Sequence, residues 1–408
     1  MLTIRLRRGA RAADPRGGPW IRARDVARMR GPLVLGELAR VEDAAGRTVG
    51  YGLADPDAAI TVRMVARGET PPDDDWLERR IGAALAARRA LGLRPDGPVT
   101  GYREVNSEGD GLPGLVVDRY GDLRVVTTTT APMTASWHRI ARCLDLEAGV
   151  RPYLRLCEAP TVSPPPAAWC EPPPRVAWTE YGLRFEVPRT AMQKTGGYLD
   201  QRENRRTIAS WVRPGMRVLD VGTHVGGFAI AAAAAGADTV GVDGSAAALA
   251  AAADNAARNG IADRTQWIEA DMFADLDADA LAGPFDIVVA DPPKVAARPG
   301  DVRRATKALT RLAARLLPRV RAGGRFVLCS CSRNVTEEHL DAAVDGIVPI
   351  HRIAVLGAAP CHPVALHHTE GVYLRAAVYQ VVGGDGTKIR TDEDQPAAAK
   401  RSSPIARR

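Results

Sequence analysis

Apolar residues change their spacing about midway along this chain. Over residues 1–68 they fall in short runs: Leu2–Leu6, Leu33–Leu35, Leu38–Val41, Val49–Leu53 and Ile60–Val65, separated by Gly, Pro and Asp. Such runs predict strands and a small all-β module. Thr70-Pro71-Pro72-Asp73-Asp74-Asp75 marks a boundary and the start of a helix over Trp76–Leu91. Residues 100–157 mix strands with one helix. There Gly109–Gly114 reads as a tight loop into a strand at Leu115–Asp118, and Tyr120-Gly121-Asp122 as a hairpin turn into Leu123–Thr128. The stretch from Pro160 to Pro174 is extended and stiff. From about residue 186 strands alternate with helices. The strands are Arg217–Asp220, Thr239–Asp243, Thr265–Glu269, Phe285–Ala290 and Arg325–Leu328, with His351–Val355 and Val372–Val382 closing the set. The helices are Phe228–Ala235, Ser245–Asn259, Val302–Val320 and Thr336–Ile347. Regular β-α alternation predicts an α/β fold with a mostly parallel sheet covered on both faces. After Gly383 the chain is polar, and a disordered tail is expected over 384–408.

At 408 residues there is room for two or three domains. Six scattered cysteines form no C-x-x-C pair, so the sequence predicts no metal site and a reducing, cytoplasmic setting. No apolar run suits a membrane span. Net charge is +7, and residues 1–30 hold nine Arg against Asp14 and Asp25. Clustered basic charge is the footprint of a nucleic-acid binder, although Arg and Ala are abundant throughout this chain.

In an open α/β sheet reactive groups gather where strands end. Five strand ends here carry suitable residues. Asp220-Val221-Gly222 through Gly226-Gly227 is a glycine-rich turn into a helix, and Asp243 closes the next strand. An acid there accepts hydrogen bonds from ribose hydroxyls. Glycines at 222, 226 and 227 fit the pyrophosphate of a dinucleotide poorly and S-adenosylmethionine better. Asp271 and Met272 follow the third strand, where they either meet an adenine or serve a helix start. Asp291-Pro292-Pro293-Lys294 holds a carboxylate at a rigid strand exit, suited to the polar edge of an extruded base. Cys329-Ser330-Cys331-Ser332 ends the fifth strand. A thiolate that adds to carbon 6 of cytosine makes carbon 5 nucleophilic, and such a thiol needs positive charge or a helix N-terminus nearby. Cys331, just before a predicted helix, is the expected nucleophile. Cys329 reads as a core thiol, and Cys143, Cys157, Cys170 and Cys361 as structural.

The chain resembles the bacterial methyltransferases that form 5-methylcytosine in 23S rRNA. The matching stretches include Pro19-Trp20, Glu108–Gly114 with Asp118-Arg119-Tyr120-Gly121, Lys194–Arg202, Gly226-Gly227-Phe228, Asp291–Lys294, Ser330-Cys331-Ser332, His362-Pro363-Val364 and Glu370–Leu374. The resemblance implies a PUA-like RNA-binding domain over 1–70, a central α+β domain over 71–186 and a class I, Rossmann-like methyltransferase domain with a seven-stranded sheet over 187–383. It also implies S-adenosylmethionine as cofactor. Gln201, Arg202, Asp243, Asp271 and Asp291 would line its pocket, Cys331 would attack the base, and Thr195–Arg205 would close over the site. Together with the turn residues Asp220, Gly222, Gly226 and Gly227, and with Met272 and Pro292, these form the expected cofactor site; Cys331 and Asp291 form the catalytic pair. The implied partner is RNA, as 23S rRNA or a large-subunit assembly intermediate, with no membrane; a monomer and a homodimer stay open. The chain departs from the family at Thr223-His224-Val225, which replaces a Tyr-Thr, and in the Pro-rich stretch, which replaces a basic one. His362 reads as a packed surface histidine rather than a substrate contact. Rival readings are a base N-methyltransferase and a non-catalytic RNA-binding or ribosome-assembly factor; a nicotinamide oxidoreductase ranks behind both.

Overall fold

The computed structural model describes residues 1–14, 16–146, 151–157, 164–274, 276 and 278–382. The expected polar tail lies outside them, as does the start of the Pro-rich stretch. The first six strands, β1 (Thr3–Leu6), β2 (Trp20–Arg22), β3 (Val26–Arg30), β4 (Leu38–Glu42), β5 (Thr48–Ala54) and β6 (Ile60–Arg67), form one sheet ordered β2-β6-β5-β4-β1-β3. Ile4, Leu6, Ile21, Val41 and Val62 fill its core. Two of these strands carry no apolar run, because Arg22, Arg24, Arg28 and Arg30 interrupt the alternation. Conversely, Leu33–Leu35 is no strand: it lies in an exposed connection between β3 and β4.

Helix α1 (Trp76–Ala90) leads to β7 (Gly101–Asn106), β8 (Leu115–Tyr120) and β9 (Leu123–Thr128). Two short helices follow where one was expected, α2 (Ala131–Ala135) and α3 (Trp137–Cys143), and then β10 (Arg151–Arg155) completes a sheet ordered β10-β9-β8-β7. Leu77, Ile81, Leu115, Val117 and Trp137 pack beneath it, with Leu53 and Val65 of the first sheet in the same cluster. The two N-terminal regions therefore share apolar packing. After α4 (Ala167–Cys170), strands β11 (Arg175–Glu180) and β12 (Leu183–Pro188) form an antiparallel hairpin.

Next come α5 (Arg202–Ser210), β13 (Arg217–Val221), α6 (Gly227–Ala234), β14 (Asp238–Asp243), α7 (Ala246–Arg258), β15 (Thr265–Glu269) and β16 (Phe285–Ala290). They are followed by α8 (Val302–Leu316), β17 (Val320–Ser330), α9 (Glu337–Val344), β18 (Ile350–Leu356) and β19 (Arg375–Val381). The sheet order is β15-β14-β13-β16-β17-β19-β18, parallel except where β19 runs against both neighbours. Its central strands read as continuous apolar runs because helices cover both faces. Helix α6 is buried along most of its length, hence its Ala-rich sequence. Helix α8 buries only Ala305, Leu309, Leu312, Ala313 and Leu316, spaced at three and four residues. Ser245 caps α7 by accepting from the Ala248 amide at 3.2 Å. Among the described residues no helix is long and apolar enough to cross a membrane.

Candidate active site

The chain order reverses between β13 and β16, and ligands of open α/β sheets bind beyond the strand ends at such a point. A cavity of about 630 Å³ opens there. It is lined by Gly222 and Gly227 from the turn after β13, Asp243 from β14, Asp271 and Met272 after β15, Asp291 and Pro292 after β16, and Cys331 after β17, with Gln201 ahead of α5. A second cavity of about 450 Å³ adjoins it. Lys194, Tyr198, Asp200, Lys294 and Cys331 line both.

The glycine turn owes its shape to carboxylates behind it. Asp220 accepts from the Thr223 hydroxyl at 2.6 Å and the Ala229 amide at 3.0 Å. Gly222 has φ +85°, and a Cβ there would collide with the Asp291 carbonyl. His224 takes φ 51°, a rare conformation for a side-chain-bearing residue. Its ring pairs with the Ala191 carbonyl at 2.9 Å and lies edge-on to Tyr198 at 5.2 Å, which holds it there. Its amide thereby donates to Asp243 at 2.9 Å. The other Asp243 oxygen accepts from the Ser245 amide at 3.0 Å, leaving lone pairs toward the cavity. Burial holds the His224 imidazole neutral.

Asp291 is partly open to the cavity but otherwise enclosed by protein. The Gln201 side chain donates to it at 2.9 Å, and Asn204 donates to Gln201 at 2.6 Å. Loss of water, then the nearby Asp200 and Asp220, raise the Asp291 carboxyl to about 7 from an ordinary 3.8. Burial, then the Asp291 charge, push the Cys331 thiol up as well, and Lys194 opposes them. The first turn of α9 is closed on itself by Thr336 and His339, five residues and more beyond Cys331, so positive charge reaches the thiol from Lys194 rather than from a helix end. Cys329 is fully buried among Val218, Val289 and Val378 in the core.

The second cavity is walled by charged groups from two regions. Arg103 of β7 forms a two-bond pair with Asp118 of β8 at 2.8 and 3.0 Å, and Thr195 donates to Asp118 at 2.7 Å. Asp200 accepts from the Tyr373 hydroxyl at 2.7 Å and lies 3.6 Å from the Lys194 ammonium. Despite its burial, the Lys194 charge, the Tyr373 hydrogen bond and nearby Arg103 hold Asp200 below the usual carboxylate range. His362 is buried and lines this cavity, which corrects its reading as a surface residue. Burial, with Arg103 alongside, lowers it to about 3, so it is neutral. At the rim the Trp20 indole donates to Glu108 at 2.7 Å, and the guanidinium groups of Arg63 and Arg333 approach its ring at 5.3 and 5.7 Å. Trp20 thus ties the first sheet to the segment that carries Cys331.

Three expected cofactor residues do not reach the first cavity. Arg202 turns into the interior, where it donates to Glu203 at 3.0 Å and the Gly101 carbonyl at 3.3 Å and approaches the Cys361 sulfur at 3.6 Å. Asp220 lies beneath the turn it shapes. Gly226, with φ +88°, caps α6 and is packed against Ile230 and Trp267. Asp271 lines the cavity and also accepts from the Phe273 amide at 2.8 Å, so it serves a turn rather than a helix start. Arg103, Asp118 and Tyr373 had no site role in the sequence analysis; Arg103 and Asp118 reach the site from β7 and β8, and Tyr373 from the segment just before β19. The local signal for Arg103 and Asp118 is a charge on a largely buried strand, and Asp118 and Tyr373 also fall within the family-like stretches Asp118–Gly121 and Glu370–Leu374.

Comparison with known proteins gives consistent matches. Residues 134–364 match the family described as S-adenosylmethionine-dependent methyltransferase, and residues 4–67 match a PUA-like domain. A ribosomal RNA large subunit methyltransferase of Deinococcus radiodurans is 36% identical over 361 residues, covering 84% of this chain and 88% of that protein. Ribosomal RNA large subunit methyltransferase I of Erwinia tasmaniensis is 30% identical over 410 residues, covering 93% and 100%. Among solved structures, one from Streptococcus mutans described as an S-adenosylmethionine-dependent methyltransferase shares the fold. Its TM-score is 0.75 at 17% identity, over 93% of this chain and all of that one.

Proposed function

The chain belongs to the ribosomal RNA large subunit methyltransferases, S-adenosylmethionine-dependent enzymes with an N-terminal PUA-like domain, and from that premise we propose that it methylates carbon 5 of a cytosine through a covalent adduct on Cys331. The observation that carries this reading is the place of Cys331 at the junction of the two cavities. The larger cavity fits the cofactor. Asp243 has lone pairs for a ribose diol, Met272 offers an apolar wall for adenine, and the carboxylate of Asp291 suits a sulfonium. The nearby Arg205 is engaged by Glu180 at 2.6 and 2.9 Å, so it is not free for a pyrophosphate. Bound there, S-adenosylmethionine supplies a methyl group on positively charged sulfur, which carbon 5 accepts.

The target cytosine occupies the smaller cavity. Its carbon 6 is electrophilic only if negative charge arriving on ring nitrogen 3 is neutralised. With its carboxyl raised to about 7, Asp291 can take the thiol proton of Cys331 and pass it to nitrogen 3. The sulfur–carbon 6 bond forms as that proton moves, and the ring electrons shift toward carbon 5. After methylation a base removes the carbon 5 proton, its electron pair restores the carbon 5–carbon 6 double bond, and the sulfur leaves with the pair it shared with carbon 6. The nitrogen 3 proton returns through Asp291 to the thiolate, so one proton is released per turnover.

The division of labour follows the domains: residues 1–70 hold RNA, 71–186 brace the base cavity, and 187–383 hold the cofactor. Six free cysteines suit a reducing cytoplasm. The test is nucleoside mass spectrometry of under-modified large-subunit rRNA incubated with the protein and S-adenosylmethionine. New 5-methylcytidine, with a covalent complex trapped by 5-fluorocytosine, is expected. A methylated amine or ring nitrogen instead would discard the adduct.

A further inference from the structure

We propose that Leu366 is a wedge: as the target nucleotide turns into the smaller cavity, this side chain enters the RNA stack in its place. The inference rests on the reading of that cavity as the base site. A lone exposed leucine ordinarily needs no explanation, but three features set this one apart. It is 87% exposed, against 60% for Met1, the next large apolar residue among those described. Along the chain it lies between His362 and Tyr373, which both line the base cavity. And it is held outward. The Asn106 side chain donates to the Pro363 carbonyl at 2.8 Å before it, and the His368 amide donates to Ala365 at 3.1 Å behind it. His367 adopts φ 63°, which turns the chain sharply just after Leu366. His368 is buried with its ring edge-on to Trp20 at 4.6 Å, so the turn stands on the first sheet.

The surroundings identify the partner as nucleic acid. Lys294 and Arg333 both line the base cavity, and among the described residues neither has a carboxylate partner. Cations without carboxylate partners, Arg333 resting on the Trp20 ring, together with an exposed aliphatic tip match a phosphate backbone flanking a base stack. An enzyme acting on a ring carbon must remove the base from its stack, which leaves a gap. An aliphatic side chain of about base thickness, carried on a backbone already held in place, fills that gap without first ordering the turn that bears it.

The test uses full-length protein, a folded large-subunit rRNA transcript, and the same transcript with a mismatch at the methylated cytosine, which lowers the cost of extrusion. Leu366→Ala should lose roughly tenfold in kcat/KM on the folded transcript and within about twofold on the mismatched one. Leu366→Met should keep near-normal activity on both. Equal losses on the two transcripts, or no loss on the folded one, overturn the wedge. A loss confined to assembled ribosomal particles would place a protein at this tip and overturn it too. If the wild-type protein makes no 5-methylcytidine, the parent reading falls, and the wedge with it.

Discussion

Asp118 in the central sheet and Asp220 beneath the glycine turn are both 0% exposed, yet their carboxyls are driven in opposite directions. Burial raises both. At Asp118 the Arg103 guanidinium more than offsets it and holds the acid below its ordinary value. Asp220 has only a hydroxyl and an amide on one oxygen, and its other oxygen has no partner, so it rises to about 6. Asp291, at the edge of the same sheet, rises to about 7 for the same reason. Burial therefore does not fix protonation here; the partner does. Beside the smaller cavity the central sheet supplies paired, charged walls. At the strand ends of the seven-stranded sheet Asp220 and Asp291 are raised toward neutrality, the range that suits proton transfer.

The largest effect should come from the reactive edge. Cys331→Ala is expected to lower turnover by about 10⁴-fold while calorimetry still detects cofactor binding. Substantial activity in that variant would remove the covalent step. Next, Arg103→Met should cost about 3–5 kcal/mol of stability by stranding Asp118, measured by denaturant unfolding. Arg103→Met with Asp118→Asn should recover part of it; a loss below 1 kcal/mol would mean the pair is not what holds the acid. Stability from Asp118 is present above about 3.8 and is lost as pH falls through its lowered value.

Asp291→Asn should lower kcat about 100-fold and remove the limb of the pH–rate profile near 7. An unchanged profile would assign that limb to another group. Asp220 has the opposite pH sign to Asp118. Its contribution is full below about 3.8 and is lost as pH rises through about 6. Asp220→Asn should therefore flatten stability over that window and gain roughly 1–3 kcal/mol at pH 7, read from thermal unfolding across pH. The smallest effect is expected at Trp20→Ala. Loosening Arg333 there should change kcat/KM for RNA about threefold and leave cofactor affinity alone.

Much of the catalytic sheet is legible along the chain. Thr265–Glu269 and Phe285–Ala290 match β15 and β16 residue for residue. Helix coverage on both faces forces such strands to be apolar throughout, and that signal is local. β17 extends from Val320 to Ser330, well beyond Arg325–Leu328, because Arg321 and the glycines 323 and 324 break its apolar run while its pairing with β16 begins at Val320. The Arg-rich β2 and β3 were hidden for a similar reason: they lie at the two edges of their sheet, where one neighbour and little burial suffice. In the site, Asp291 and Cys331 stand out because each directly follows an apolar strand.

Local periodicity along the chain sets the alternation that builds the catalytic sheet, and therefore which residues stand at its strand ends. It could not decide which of those side chains face the cavities. Asp220 turns under its own turn to Thr223 and to the Ala229 amide of α6, and Arg202, besides its neighbour Glu203, turns to the Gly101 carbonyl of β7, which only the fold brings near. Nor could it place Arg103 and Asp118 across from Cys331, or bring Trp20 against Arg333. Strand identity depends on a periodicity a few residues long. A buried charge depends on which partner the whole fold brings within about 3 Å, and that partner can lie anywhere in the chain.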